Sequence, residues 1–174
     1  MQIETFNSFH PEHKALYTEM LTLFASFGDT YPDSATWFRE TFLSGLRKAE
    51  RLYIVARTEE KALAGFALIK NTPDEKKICT LFIKPEFRKR GIGKRLILQA
   101  LAELGEHPLI TVSGKNLSQL QPLLKHAGFH LSAVRKGVYK PDETEYYFND
   151  RSADAIKNGL IPVLRQRMNQ LKQK

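Results

Sequence analysis

The stretch KKICTLFIKPEFRKRGIGKRLILQALAEL, Lys76 to Leu104, changes its hydrophobic period halfway. Ile78 to Ile83 is a short run of β-branched, aromatic and aliphatic residues, which predicts a strand with at least one buried face; Pro85 ends it. From Ile92 the apolar residues Leu96, Ala100 and Leu104 follow at helical spacing, with Ile97 and Leu101 beside them, and predict an amphipathic helix. The segment Arg88-Lys89-Arg90-Gly91-Ile92-Gly93-Lys94 therefore joins a strand to a helix N-terminus. Unpaired amides and the positive end of the helix dipole favour an anion there, and Gly91 and Gly93 remove Cβ atoms that would hold it off. A pyrophosphate is a natural occupant because it engages several consecutive amides. Two other phosphate loops do not fit. A dinucleotide fingerprint needs glycine where Leu96 stands, and a P-loop needs glycine at Arg88 and Ser or Thr at Arg95. The residues alone also suit a solvated basic turn or a nucleic-acid patch.

In this order, strand, Pro-containing turn and basic G-x-G loop, the chain resembles the GNAT superfamily of acyl-CoA-dependent N-acyltransferases. The signature of that family, an apolar-x-apolar strand end followed by [Q/R]-x-x-G-x-[G/A] opening a helix, is matched from Leu81 through Gly93, and Gly128-Phe129 matches a second feature. The resemblance spans about Leu52 to Phe148. It implies an α/β fold with a mixed, mostly antiparallel sheet, a central parallel splayed strand pair and flanking helices. It implies acetyl-CoA as co-substrate, its phosphates on Arg88, Lys89, Arg90, Gly91, Ile92, Gly93 and Lys94. The pantetheine arm would lie along the main chain of Leu81, Phe82 and Ile83, with Asn116 as a further contact. It also implies an acceptor-amine pocket shaped by the first two helices, with Tyr31, Trp37 and Phe38 as wall candidates.

The 174 residues and a hydrophobic fraction of 42% predict one domain with a sizeable core, assigned to residues 1–150. A basic extension, 151–174, follows. The single cysteine, Cys79, excludes disulfides and thiolate metal sites within one chain, and no metal is expected. No basic N-terminal region precedes an apolar stretch and no apolar run is of bilayer length, so a cytoplasmic protein without a membrane contact is expected. The net charge of +8 suits an anionic partner, although an excess of this size also serves simply to keep a protein soluble. Coenzyme A answers part of it. The rest leaves room for RNA.

Along the chain, Met1 to Phe6 predicts a strand, and Leu16 to Phe27, opened near Pro11, a helix. His10 and His13 lie three apart without a third ligand nearby and read as helix-start histidines in water. Asp33 or Ser34 is placed to cap a helix whose apolar residues are Ala35, Phe38, Phe42, Leu46 and Ala49. Arg51 to Arg57 and Ala62 to Lys70 predict a hairpin, with Gly65 at a bulge or a close backbone approach. Leu109 to Val112 predicts the strand that completes a βαβ crossover with Ile78 to Ile83. Leu117 to Ala127 predicts a helix, and the runs 129–135 and 145–148 a final hairpin. In 152–174, Ile156, Leu160, Leu164, Met168 and Leu171 form an apolar side opposite Arg165, Arg167 and Lys172, which suits docking on the domain, a homodimer contact or an RNA-facing helix.

Acyl transfer to an amine needs a deprotonated nucleophile, a polarised carbonyl and a stabilised or protonated thiolate. The carboxylate that the family often uses as base falls at Lys77, with Asp74 and Glu75 in the preceding turn. The family's tyrosine acid falls at Leu123 or Leu124; Ser113 at the end of the second parallel strand and Tyr139, Tyr146 and Tyr147 of the final hairpin could take that role, and Ser113 and Tyr139 are taken as the catalytic candidates. The expected function is an N-acetyltransferase in which an amine of a small molecule, a protein or an aminoacyl-tRNA attacks acetyl-CoA directly in a ternary complex. The alternative is a non-catalytic acyl-CoA-binding module that recruits RNA or a protein partner.

Overall fold

The computed structural model describes residues 1–105 and 107–151, and the segment 152–174, with the expectations placed on it, lies outside the described residues. The class is the expected one, α/β with a mixed, mostly antiparallel sheet flanked by helices. The chain forms two compact units, Met1–Pro108 and Leu109–Lys174.

In the first unit β1 (Gln2–Phe6), β2 (Arg51–Arg57), β3 (Leu63–Asn71) and β4 (Lys76–Ile83) pair antiparallel in that order. Both faces of β3 are buried from Leu63 to Ile69, which is why its sequence is an unbroken apolar run rather than an alternation. One face packs on α1 (Lys14–Ala25), where Met20 and Phe24 meet Phe38, Phe42 and Phe66 in a wholly buried cluster. Each such side chain contributes about 1.5–3 kcal/mol by leaving water. The helix α4 (Ile92–Leu104) turns Ile92, Leu96, Ile97, Ala100 and Leu104 inward and ends at Gly105 in the left-handed conformation.

The second helical region departs from its periodicity. It begins as a single α turn, α2 (Ser34–Thr36), widens into a π-helix over Trp37–Phe42, and returns to α geometry in α3 (Leu43–Arg47). Ser34 does not cap it: its hydroxyl donates to Phe24 O at the end of α1, 2.7 Å away. The anticipated cap is thus used as a brace between two helices.

In the second unit β7 (Thr144–Phe148) lies between β5 (Leu109–Ser113) and β6 (Leu131–Lys136) and is antiparallel to both. The helix α5 (Gly114–His126) starts earlier than its apolar period indicates because its first turn is polar, and it runs through Pro122 without a break in assignment. Leu124 and Phe129 are buried. No helix among the described residues is long and apolar enough to cross a membrane.

Candidate active site

The basic loop is built by two left-handed residues. Lys89 (φ +60°) and Gly91 (φ +74°) turn the chain from the short 3-10 turn Pro85–Phe87 into α4. The first bond of the helix runs from Arg95 N–H to Gly91 O, 3.2 Å, so the amides of the first turn, from Ile92 on, precede the helix's own ladder. A Cβ built on Gly91 would meet no atom within 4 Å, so open space lies in front of it. The turn is held from behind. Ile92 is buried, Arg95 Nη1 donates to Met1 O at 3.2 Å and Gln99 Nε2 donates to Thr5 Oγ1 at 3.2 Å. Arg88, Lys89, Arg90 and Lys94 are exposed around it. Arg88 Nε donates to Ile83 O at 3.2 Å, which joins two residues assigned separately to phosphate and pantetheine, and Arg90 lies over the Phe87 ring at 5.6 Å.

Leu81, Phe82 and Ile83 are half-buried on β4 opposite Ala67, Phe66 and Gly65. Leu68 pairs with Thr80 and Ile69 with Ile78, so Cys79 is the extra residue of a bulge just before them. Burial pushes the Cys79 thiol up, against the influence of Lys77 and Arg51. Gly65 is where two backbones meet, since a Cβ there would stand 2.6 Å from Phe82 O. The Phe82 ring rests between Phe66 (5.4 Å) and Phe27 (5.2 Å), and Lys84 Nζ bonds Glu19 Oε1 of α1 at 2.7 Å.

In the second unit Ser113 and Asn116 are brought together, Asn116 Nδ2 donating to Ser113 Oγ at 3.2 Å across the start of α5. Ser113 is 1% exposed. Directly opposite it on β7 stands Glu145, a carboxylate only 3% exposed, which no sequence signal singles out because it sits among the tyrosines of a short strand. Tyr139 stands in the connection between β6 and β7 and is 47% exposed. Leu124 is fully buried and Leu123 half-buried, so the leucine in one of the two tyrosine registers is core.

Other residues singled out in the sequence have these surroundings. Trp37 packs on Phe24 (5.8 Å) and Phe42 (5.9 Å) under the Arg51 guanidinium, and Phe38 is stacked between Phe24 and Phe42. Glu75 is paired with Lys70 at 2.7 Å. His13 is not a water-facing histidine: its Nδ1 lies 2.7 Å from the hydroxyl of the fully buried Tyr53, itself 3.0 Å from that of Tyr17. Nothing local in the sequence signals a partner forty residues away.

Residues 13–129 match the model of the acetyltransferase (GNAT) family. The chain is 25% identical over 107 residues to the [ribosomal protein bS18]-alanine N-acetyltransferase of Salmonella typhimurium, covering 59% of this chain and 70% of that protein. Its fold is similar to that of the ribosomal-protein-S18-alanine N-acetyltransferase from Escherichia coli, with a TM-score of 0.62 at 18% identity over 84% of this chain and 92% of that one. It is equally similar to an aminoglycoside 6'-N-acetyltransferase complexed with coenzyme A, with a TM-score of 0.62 at 15% identity over 85% and 95%.

Proposed function

The chain belongs to the acetyltransferase (GNAT) family, and on that premise we propose that it transfers the acetyl group of acetyl-CoA to an amine by direct attack in a ternary complex. The observation that carries this reading is the open space before Gly91 at the first turn of α4, ringed by four exposed cations. The amides of Ile92, Gly93 and Lys94 would receive the pyrophosphate, with Arg88, Lys89, Arg90 and Lys94 offsetting its charge. Main-chain groups of Leu81 to Ile83 would align the pantetheine arm and polarise the thioester carbonyl. The amine lone pair attacks the carbonyl carbon and the C–S bond breaks. The sulfur leaves as thiolate and takes up a proton, while the new amide nitrogen loses one. Tyr139, which is open to solvent, is the first residue to test as proton donor; Ser113, already bonded by Asn116, is the second. An amino group at a protein N-terminus is the acceptor class that the bS18-alanine relative supports.

Gly91→Val and Gly93→Val are expected to weaken acetyl-CoA binding more than ten-fold by calorimetry, because a branched side chain fills the anion's place. Gly91→Val also costs about 1–2 kcal/mol for its left-handed backbone. Unchanged affinity in both folded variants overturns the assignment of the loop. Thiol release from acetyl-CoA with an alanine-initiated peptide, a polyamine and an aminoacyl-tRNA tests the chemistry. Loss of the acid should lower turnover by up to roughly 10²-fold in Tyr139→Phe or Ser113→Ala. One observation favours the non-catalytic module, the leucines at both tyrosine registers; tight acetyl-CoA binding without thiol release on any amine would decide for it.

A further inference from the structure

The first unit holds a groove of about 410 Å³ lined by Phe9, Tyr17, Leu21, Phe38 and Leu43, with Lys14 and Arg47 as its charged residues and no carboxylate in its lining. Its α1 wall is the stripe Lys14, Tyr17, Thr18 and Leu21, at i, i+3, i+4 and i+7. Glu19, which Lys84 holds, points away from that stripe by well over 90° at about 100° per residue. The groove is therefore on the side of α1 turned away from β4, whose main chain is proposed above to bind the thioester.

Its polar atoms are arranged unevenly. The Tyr17 hydroxyl is already engaged by His10 N–H and Tyr53, so the ring presents only its apolar body. Phe9 stacks on that ring at 5.2 Å, and the Arg47 guanidinium lies over the other ring, Phe9, at 4.2 Å, with one Nη1–H to Leu43 O at 3.3 Å. This keeps the guanidinium at the rim with further donors to offer. Lys14 opens α1, where the helix's positive end adds to its own charge. The opposite wall comes from the π-helical stretch and the start of α3, a rare backbone form that recurs at functional sites.

We propose that this groove binds a small amphipathic anion, one carboxylate on an apolar body, with the carboxylate between Lys14 and Arg47 and the body on the Phe9, Tyr17 and Leu21 surface. Apolar walls with a few polar groups at the rim suit such a ligand. The site is separate from acetyl-CoA binding and does not depend on it.

Octanoate is the probe, titrated by calorimetry into the full-length protein, with octylammonium and octan-1-ol as controls of equal length. Octanoate is expected to bind, with at least ten-fold preference over either control. Lys14→Gln and Arg47→Gln, on an exposed helix start and rim, should each weaken it at least five-fold while the far-ultraviolet circular dichroism stays that of the parent. The affinity should be the same with coenzyme A in excess. Absence of octanoate binding, equal binding of octylammonium, unchanged affinity in both variants, or displacement by coenzyme A each overturns the proposal.

Discussion

At the scale of the residue, the buried hydroxyl of Tyr53 sets the protonation of His13. Tyr17 Oη accepts from His10 N–H at 3.0 Å, so its own proton goes to Tyr53 Oη, and the Tyr53 proton goes to His13 Nδ1. All three groups are satisfied only when His13 is neutral and carries its proton on Nε2. A protonated His13 would have to donate from Nδ1, leaving one tyrosine O–H in this chain without an acceptor. Burial also holds His13 below the ordinary histidine value, with the charge of His10 acting in the same direction, Arg57 adding to it, and Glu12 and Glu4 opposing. Burial raises Tyr53, with the Tyr17 hydrogen bond acting in the same direction. The sign follows: a group whose folded pKa is depressed contributes stability that is present above its unfolded value, about 6.5, and lost as pH falls through the folded value. The melting temperature should therefore decline as pH is lowered below about 6.5, and His13→Gln should remove part of that decline while lowering stability at pH 8. Tyr53→Phe, which strands both neighbours, should cost about 1–3 kcal/mol in urea denaturation. A parent and a His13→Gln protein with parallel pH profiles would show that the relay does not control the titration.

At the scale of the element, β3 and β4 show why some of the fold can be read from the sequence and some cannot. Gly65 is marked by being a glycine in an apolar run, and it proves to be both beside a bulge, where Ala64 is the extra residue of β3 opposite the Ala56–Arg57 step of β2, and at the close approach to Phe82 O. Gly65→Ala should cost about 1–3 kcal/mol, because the neighbour at 2.6 Å is backbone and cannot rotate away. By displacing Phe82 it should also weaken acetyl-CoA binding, which calorimetry would detect; a stable variant with parental affinity would mean β4 tolerates the shift. The loop from Arg88 to Lys94 was legible because glycine, charge and a change of period coincide within a few residues. The π-helical stretch was not, since Phe38 and Phe42 are spaced alike for an α-helix, and the stack that Phe38 makes with Phe24 on one side and Phe42 on the other is a tertiary arrangement that periodicity does not show. The groove was illegible for another reason: Phe9, Lys14 and Arg47 come from three separate segments and none stands out alone.

At the scale of the molecule, the net charge of +8 is unevenly spread. From Arg151 onward there are six Lys or Arg against Asp154 alone, so the last 24 residues carry five of the eight charges. Such a bias in sequence is compatible with an RNA contact, but the sequence of the same segment spaces Ile156, Leu160 and Leu164 four apart, the period of an apolar helical side, and hydrophobic burial outweighs screened surface charge at physiological salt. We therefore expect the segment to act through its apolar residues on its own chain. Truncation after Asp150 should lower the melting temperature by several degrees, about 2–4 °C for each kcal/mol at this chain length. It should leave the sedimenting species unchanged. If the segment instead reaches nucleic acid, removing Arg165, Arg167 and Lys172 will flatten the dependence of RNA affinity on salt, since each lost phosphate contact releases fewer counterions. If it joins two copies, truncation will shift the sedimenting species to smaller mass. A truncated protein as stable as the full chain overturns the docking expectation, because the apolar face would then have nothing of its own chain to cover.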